Sequence, residues 1–317
     1  MSGRIDVHHH IVPTRYAAAL SRAGGVEAGG VPLPSWHAES AVEMMDRRGI
    51  ESAVTSISCP GVHLGNDAAA RDLARACNEV AAGLRVRFPG RFGAFASLPW
   101  PDLDGCLEEL AYALDTLALD GVILLASAGG RYLGDPELLP LMIELDRRGA
   151  VVFVHPNVPP GASASGLPYP AAITEFPHDT TRAVTHLIYS GTLERCPHIR
   201  FILAHAGGTV PFLAWRLALL DGLPEFGEKA PQGALHYLRS LYYDTAMSAN
   251  SHALAALLEL VGPEQILFGS DYPFLPEVLV EQNVEHLSKQ ASFDARSLAA
   301  IERENALSLL PGLSERR

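Results

Sequence analysis

Ile5-Asp6-Val7-His8-His9-His10-Ile11-Val12-Pro13, near the start of the chain, is an apolar run that carries three histidines. Side chains of an extended strand alternate between its two faces, so His8 and His10 point one way and His9 the other. Two imidazoles on one side of a strand end make half of a metal site. Whether the other half exists depends on what the rest of the chain places beside them.

Working outward from this stretch, strand-like runs alternate with helix-like runs. Arg4 to Val7 is the first strand, and a Gly/Pro-rich loop around Gly24-Gly25 and Gly29 to Pro34 follows it. That loop is long enough to read as a lid or binding loop. Ser35 is placed to cap a helix that starts near Trp36 and stops at Gly49. Further strands are expected at 51–57, 91–97, 120–126, 150–155, 199–205, 241–246 and 265–271, each followed by a helical pattern. A second long loop, rich in Pro, Gly and Ser, is expected over 156–170.

Eight strand–helix units are the number that closes a TIM-type (β/α)8 barrel. The competing doubly wound sheet would carry a Gly-rich phosphate turn after its first strand, where this chain has histidines. No repeat or linker breaks the order, so the whole chain, 1–317, reads as one α/β domain.

Composition bounds the function. With 48% hydrophobic and 19% charged residues the chain can build a sizeable core. A net charge of −12 argues against nucleic acid or an anionic membrane surface as partner. An anionic substrate would need a local cation to offset that field. Cys59, Cys77, Cys106 and Cys196 are scattered with no CxxC pair, as expected of reduced thiols in a cytoplasmic protein. No signal peptide is visible before the first strand, and apolar runs such as Val151 to Val154 are too short to span a bilayer.

Active sites of such barrels lie at the C-terminal ends of the strands. The polar residues expected there are His8 and His10 on strand one, His155 on strand five, His205 on strand six, Asp244 late in strand seven and Asp271 on strand eight. A single histidine at a strand end has an ordinary structural reading. The matched His8 and His10, joined by His155, His205 and Asp271 from three further strands of one barrel, read as a metal site. Asp244 has two readings, a carboxylate that orients a histidine or a cap for the next loop. His9 is expected to face away from the lumen.

The Asp6-Val7-His8-His9-His10 start, Phe153-Val154-His155-Pro156, Leu203-Ala204-His205-Ala206-Gly207-Gly208 and Phe268-Gly269-Ser270-Asp271-Tyr272-Pro273-Phe274 together resemble the amidohydrolase superfamily. They are most similar to its aminocarboxymuconate-semialdehyde decarboxylase-like branch. Val31 to Trp36, Ser58 to His63, Tyr132 to Pro136 and Glu175 to Arg182 resemble the 6-methylsalicylate decarboxylase group of that branch. The resemblance implies that His8, His10, His155 and Asp271 bind one divalent metal, with zinc the first expectation and manganese compatible. It implies a catalytic role for His205. It also implies that Arg216 reaches the neighbouring subunit's site in a homodimer and holds a substrate carboxylate; the alternative is a solvated helix arginine. Muconate-semialdehyde decarboxylases carry a substrate-gripping arginine where Pro32-Leu33-Pro34 stands here, which favours a more apolar aromatic acid.

The resemblance therefore implies a metal-dependent, non-oxidative decarboxylase of a small hydroxybenzoate or salicylate-type acid. Asp271 is expected to donate the proton, with His205 polarising the phenol or shuttling protons. Phe274, Trp36 and Leu33 are expected to form the apolar wall. The main rival is a hydrolase that uses a metal-bound hydroxide on a lactone or amide. Strand four ends Leu124-Leu125-Ala126 and lacks the lysine such hydrolases often carboxylate there. A further rival is a barrel that serves only as a scaffold.

Overall fold

Short β-branched and aromatic runs, buried on both faces, build eight parallel strands in the computed structural model, which describes residues 3–159 and 168–315. They are β1 (Arg4–His10), β2 (Ile50–Ser56), β3 (Phe92–Ser97), β4 (Gly121–Leu125), β5 (Val151–His155), β6 (Arg200–Leu203), β7 (Tyr242–Asp244) and β8 (Ile266–Leu267). They pair in sequence order, each with the next. The seam between β1 and β8 is drawn together by Val7 N–H to the Phe268 carbonyl (2.9 Å), Asp271 N–H to His8 O (2.8 Å) and His10 N–H to Tyr272 O (2.7 Å). The fold is the expected (β/α)8 barrel.

Alternation sorts each strand's side chains into two layers. Ile5, Val7, Val54, Phe95, Ile123, Phe153, Ile202 and Leu267 fill the lumen, and Leu309, Leu310 and Leu313 from the C-terminal segment plug its lower end. The opposite faces pack against a ring of helices: α1 (Ala38–Arg48), α2 (Asp67–Arg87), α3 (Leu103–Ala111), α4 (Leu139–Arg147), α5 (Glu175–Tyr189), α6 (Val210–Leu217), α7 (Ser251–Leu258) and α8 (Glu277–Ser288). Gly49 ends α1 in the left-handed conformation, φ 66°.

Several local expectations change. Ser35 does not cap α1: His37 occupies the cap position, and no side chain bonds the free amides there. The first long loop is more structured than its Gly/Pro content implied, with a helix at Thr14–Arg22 and a hairpin pairing Glu27–Ala28 with Val31–Pro32. Residues 160–167 of the second loop lie outside the described residues. β1 runs three residues further than expected, through all the histidines, and its register against β2 slips between Asp6 and His9. The slip turns both Val7 and His8 toward the lumen, which strict alternation forbids.

Candidate metal centre

Three imidazoles at the upper end of the lumen, those of His8, His10 and His155, are held by Nδ1 and turn Nε2 inward. Asp244 Oδ2 accepts the Nδ1 proton of His8 at 2.7 Å. Ser56 Oγ lies 3.0 Å from His10 Nδ1, and the Pro156 carbonyl accepts from His155 Nδ1 at 2.8 Å. A carbonyl can only accept, so the His155 proton sits on Nδ1 and its Nε2 presents a lone pair. This is the outer arrangement that fixes a metal-ligating histidine in tautomer and orientation.

The Nε2 atoms converge on one carboxylate. His8 and His10 Nε2 are 3.0 Å apart, and each lies 3.3 Å from Asp271 Oδ1. His205 approaches from the other side, its Nε2 3.4 Å from Asp271 Oδ2. Donor atoms of His8, His155, His205 and Asp271 all lie within 4.8 Å of one another, and all four residues are buried. His155 joins His10 through rings 4.9 Å apart. The structure thus brings together all five groups selected by strand-end position, with His205 closer to the metal-binding set than its separate role implied.

The electrostatics follow from this crowding. Burial opposes charge on His8, but the Asp244 and Asp271 carboxylates outweigh it and push the imidazole up to about 10. Burial, aided by the His8 charge, pushes His10 down to about 4 and holds His155 well below its ordinary value. Burial alone would raise Asp271; His8 and hydrogen bonds from His10 and His205 keep its carboxyl well below the usual range. The centre therefore draws positive charge. A divalent cation supplies that charge while leaving the imidazoles neutral, and a set of imidazole nitrogens with one carboxylate oxygen suits such an ion.

Asp244 performs both roles weighed for it. Besides orienting His8, its Oδ1 accepts from His205 N and Ala246 N, each at 2.9 Å. His9 faces away, its Nδ1 3.2 Å from Asp6 Oδ2 and its ring beside Tyr272. Ser56, the Pro156 carbonyl and Asp6 were missed, since nothing in a lone sequence marks a serine or a carbonyl as a histidine's partner.

Above the centre opens a cavity of about 450 Å³ that reaches His155, His205 and Asp271. Val31, Ile173, Phe176, Phe274, Leu275 and Leu279 give it an apolar wall, Ser58 and Ser248 add hydroxyls, and no lysine or arginine is among its described lining residues. Phe274 is where it was expected. Trp36 and Leu33 instead pack on the core behind the wall. Arg216 lies exposed on α6, away from its own chain's cavity, and has no ion-pair partner among the described residues.

The amidohydrolase family profile matches residues 5–312. The chain belongs to the amidohydrolase family. Among its amidohydrolase relatives, the 6-methylsalicylic acid decarboxylase acuB of Aspergillus aculeatus is 38% identical over 320 residues, covering 98% of this chain and 96% of that protein. A crystal structure of an amidohydrolase II superposes with a TM-score of 0.90 at 29% identity, covering 97% of this chain and 99% of the other. The 5-carboxyvanillate decarboxylase of Novosphingobium aromaticivorans, solved with manganese and a nitrobenzoic acid, shares the amidohydrolase fold with a TM-score of 0.85 at 19% identity, covering 97% of this chain and 96% of the other.

Proposed function

We propose that this amidohydrolase is a non-oxidative decarboxylase, a carboxy-lyase acting on a small hydroxylated aromatic acid of the salicylate type. The carrying observation is the convergence of His8 and His10 Nε2, 3.0 Å apart, on Asp271 Oδ1, each at 3.3 Å, at the floor of a mostly apolar cavity. A volume of about 450 Å³ accommodates one substituted ring. The similarity to a 6-methylsalicylic acid decarboxylase over nearly the whole chain supports the same substrate class.

His8, His10, His155 and Asp271 would hold one divalent cation, zinc by donor preference or manganese as in the carboxyvanillate relative. When bound, that ion supplies Lewis acidity toward the acid's carboxylate and ortho hydroxyl. The remaining steps belong to the protein. Asp271 rests ionised, so it takes up the ortho-hydroxyl proton as the acid docks and returns it to the ring carbon that bears the carboxylate. The bond to the carboxylate then breaks, its electron pair restores the aromatic ring, and carbon dioxide leaves. His205, beside Asp271 Oδ2, holds the phenolic oxygen and relays the proton. The apolar wall excludes water and favours an alkyl ring substituent over a hydroxyl.

Besides the metal, no described lining residue offers a cation to the carboxylate, which supports a second copy supplying one. Around Arg216, Phe212, Trp215 and Leu219 expose 83%, 75% and 65% of their surface in one ridge, apolar enough to seat a partner. A homodimer on this ridge would carry Arg216 to the neighbouring cavity. The four buried thiols support a reducing, cytoplasmic location, and no helix among the described residues is long and apolar enough to cross a membrane. The chain, 1–317, then works as one catalytic barrel domain.

The deciding experiment is a panel of salicylates, resorcylates and simple lactones, assayed for carbon dioxide and ring-opened product. A 6-alkylsalicylate is expected to release carbon dioxide fastest. Lactone opening without carbon dioxide from any aromatic acid would replace the decarboxylase reading with hydrolysis.

A further inference from the structure

Asp6 lies beneath the metal centre with no exposed surface, and its carboxylate is saturated by donors from both sides of the barrel seam. Its Oδ1 accepts from His8 N at 3.1 Å and Ser270 N at 2.9 Å. Its Oδ2 accepts the Ser270 hydroxyl proton at 2.5 Å and the His9 Nδ1 proton at 3.2 Å. Ser270 Oγ, its proton committed to Asp6, accepts in turn from Tyr272 N at 3.1 Å.

Asp271 stands between these two tied residues with φ 57°, in the left-handed region that strains any residue bearing a Cβ. Its own amide donates to His8 O at 2.8 Å. Such a conformation persists only where the flanking backbone is held. Here the holding is done by a group that must accept on both oxygens. An amide in its place would turn an NH2 either toward two backbone N–H groups or toward Ser270 Oγ and His9 Nδ1, which could receive it only by rotating the hydroxyl away and moving the imidazole proton to Nε2.

We infer that Asp6 is a positioning residue of this site, fixing the strained Asp271 and the His8 end of β1 in one geometry through Ser270; the inference rests on the metal centre proposed above. Asp6 touches neither substrate nor metal, and acts by keeping Asp271 Oδ1 aimed between the His8 and His10 nitrogens. His9, turned from the lumen, buttresses it.

The test titrates metal-free wild-type protein, Asp6→Asn and Ser270→Ala with Mn2+, following the free ion by electron paramagnetic resonance, with thermal melting beside it. Leu141→Ala, a core truncation in the helix layer, serves as a control that destabilises without touching the site. Asp6→Asn and Ser270→Ala are expected to weaken Mn2+ binding about 10- to 100-fold, while Leu141→Ala lowers the melting temperature and binds Mn2+ as the wild type does. If Asp6→Asn fails to fold, Ser270→Ala decides, because it keeps the backbone N–H bond from position 270 to Asp6 and removes the hydroxyl's bonds to Asp6 and to Tyr272 N. Melting temperatures that fall with Mn2+ affinity unchanged would overturn the inference and leave the metal centre standing. A wild-type protein that binds no metal overturns both.

Discussion

Asp244 and His205 separate two jobs that a cluster of buried imidazoles and carboxylates could otherwise share. Asp244→Asn keeps an oxygen for His205 N and Ala246 N, which the carboxylate now serves through Oδ1, but sets an NH2 against His8 Nδ1. The imidazole must then accept at Nδ1 and carry its proton on Nε2, where a metal would bind. The expected outcome is about a 10- to 100-fold loss of metal affinity with the melting temperature nearly preserved, read by competition with a chelating dye. Unchanged affinity would reduce Asp244 to a loop cap. His205→Asn, by contrast, is expected to abolish carbon dioxide release while metal content by elemental analysis stays at the wild-type level, since His205 faces Oδ2 and the metal set gathers at Oδ1. Retained turnover would remove His205 from the proton relay.

The first and last helices of the ring are braced by a pair of arginines on one carboxylate. Glu277, at the start of α8, bonds Arg47 at 2.8 Å and Arg48 at 3.0 Å at the end of α1. These bonds, Arg47 foremost, push the Glu277 carboxyl down to about 2. A depressed native value means the stabilisation is present above the unfolded value of about 4.3 and is lost as pH falls through the native one. Arg47 is half exposed, so solvent screens the pair, and Glu277→Gln is expected to cost only about 1 kcal/mol at neutral pH. The difference between variant and wild type, measured by urea denaturation, should shrink as pH falls below about 4; a constant difference would assign the loss to packing. Elements of this size were largely legible in the sequence, because short continuous apolar runs alternating with helical spacing leave few architectures open. The strand-end rule then found His8, His10, His155, His205 and Asp271 without any contact information. What escaped depends on pairing. The register slip in β1 exists only against β2, and Asp6 meets Ser270 across 264 positions. The helix at Thr14–Arg22 was hidden by the Gly/Pro-rich stretch after it, and Ser35 lost the cap because α1 starts later than its apolar spacing implied.

At the scale of the whole molecule, a chain of net charge −12 whose active-site wall carries no described lysine or arginine has, beyond its metal, no described cation of its own to hold an acid. The exposed ridge on α6 and the turn after it offers both an apolar seat and Arg216. If two copies pack there about a two-fold axis, each lends its Arg216 to the other's cavity. Trp215→Asp should then yield a monomer by light scattering that binds metal but releases little carbon dioxide. Arg216→Ala should remain dimeric and lose activity mainly through a raised KM, as a substrate clamp would. Mixing distinguishes a shared site from a merely stabilising contact. Assayed at substrate well below the raised KM, where each is nearly silent alone, Arg216→Ala and His205→Asn protomers form mixed dimers in which one of the two sites joins an intact His205 to an intact Arg216. Random reassortment makes half the dimers mixed and half of their sites whole, so about a quarter of wild-type activity should return. If Arg216 served only its own chain, the Arg216→Ala protomer could not be rescued by any partner, and the mixture would stay as inactive as its components.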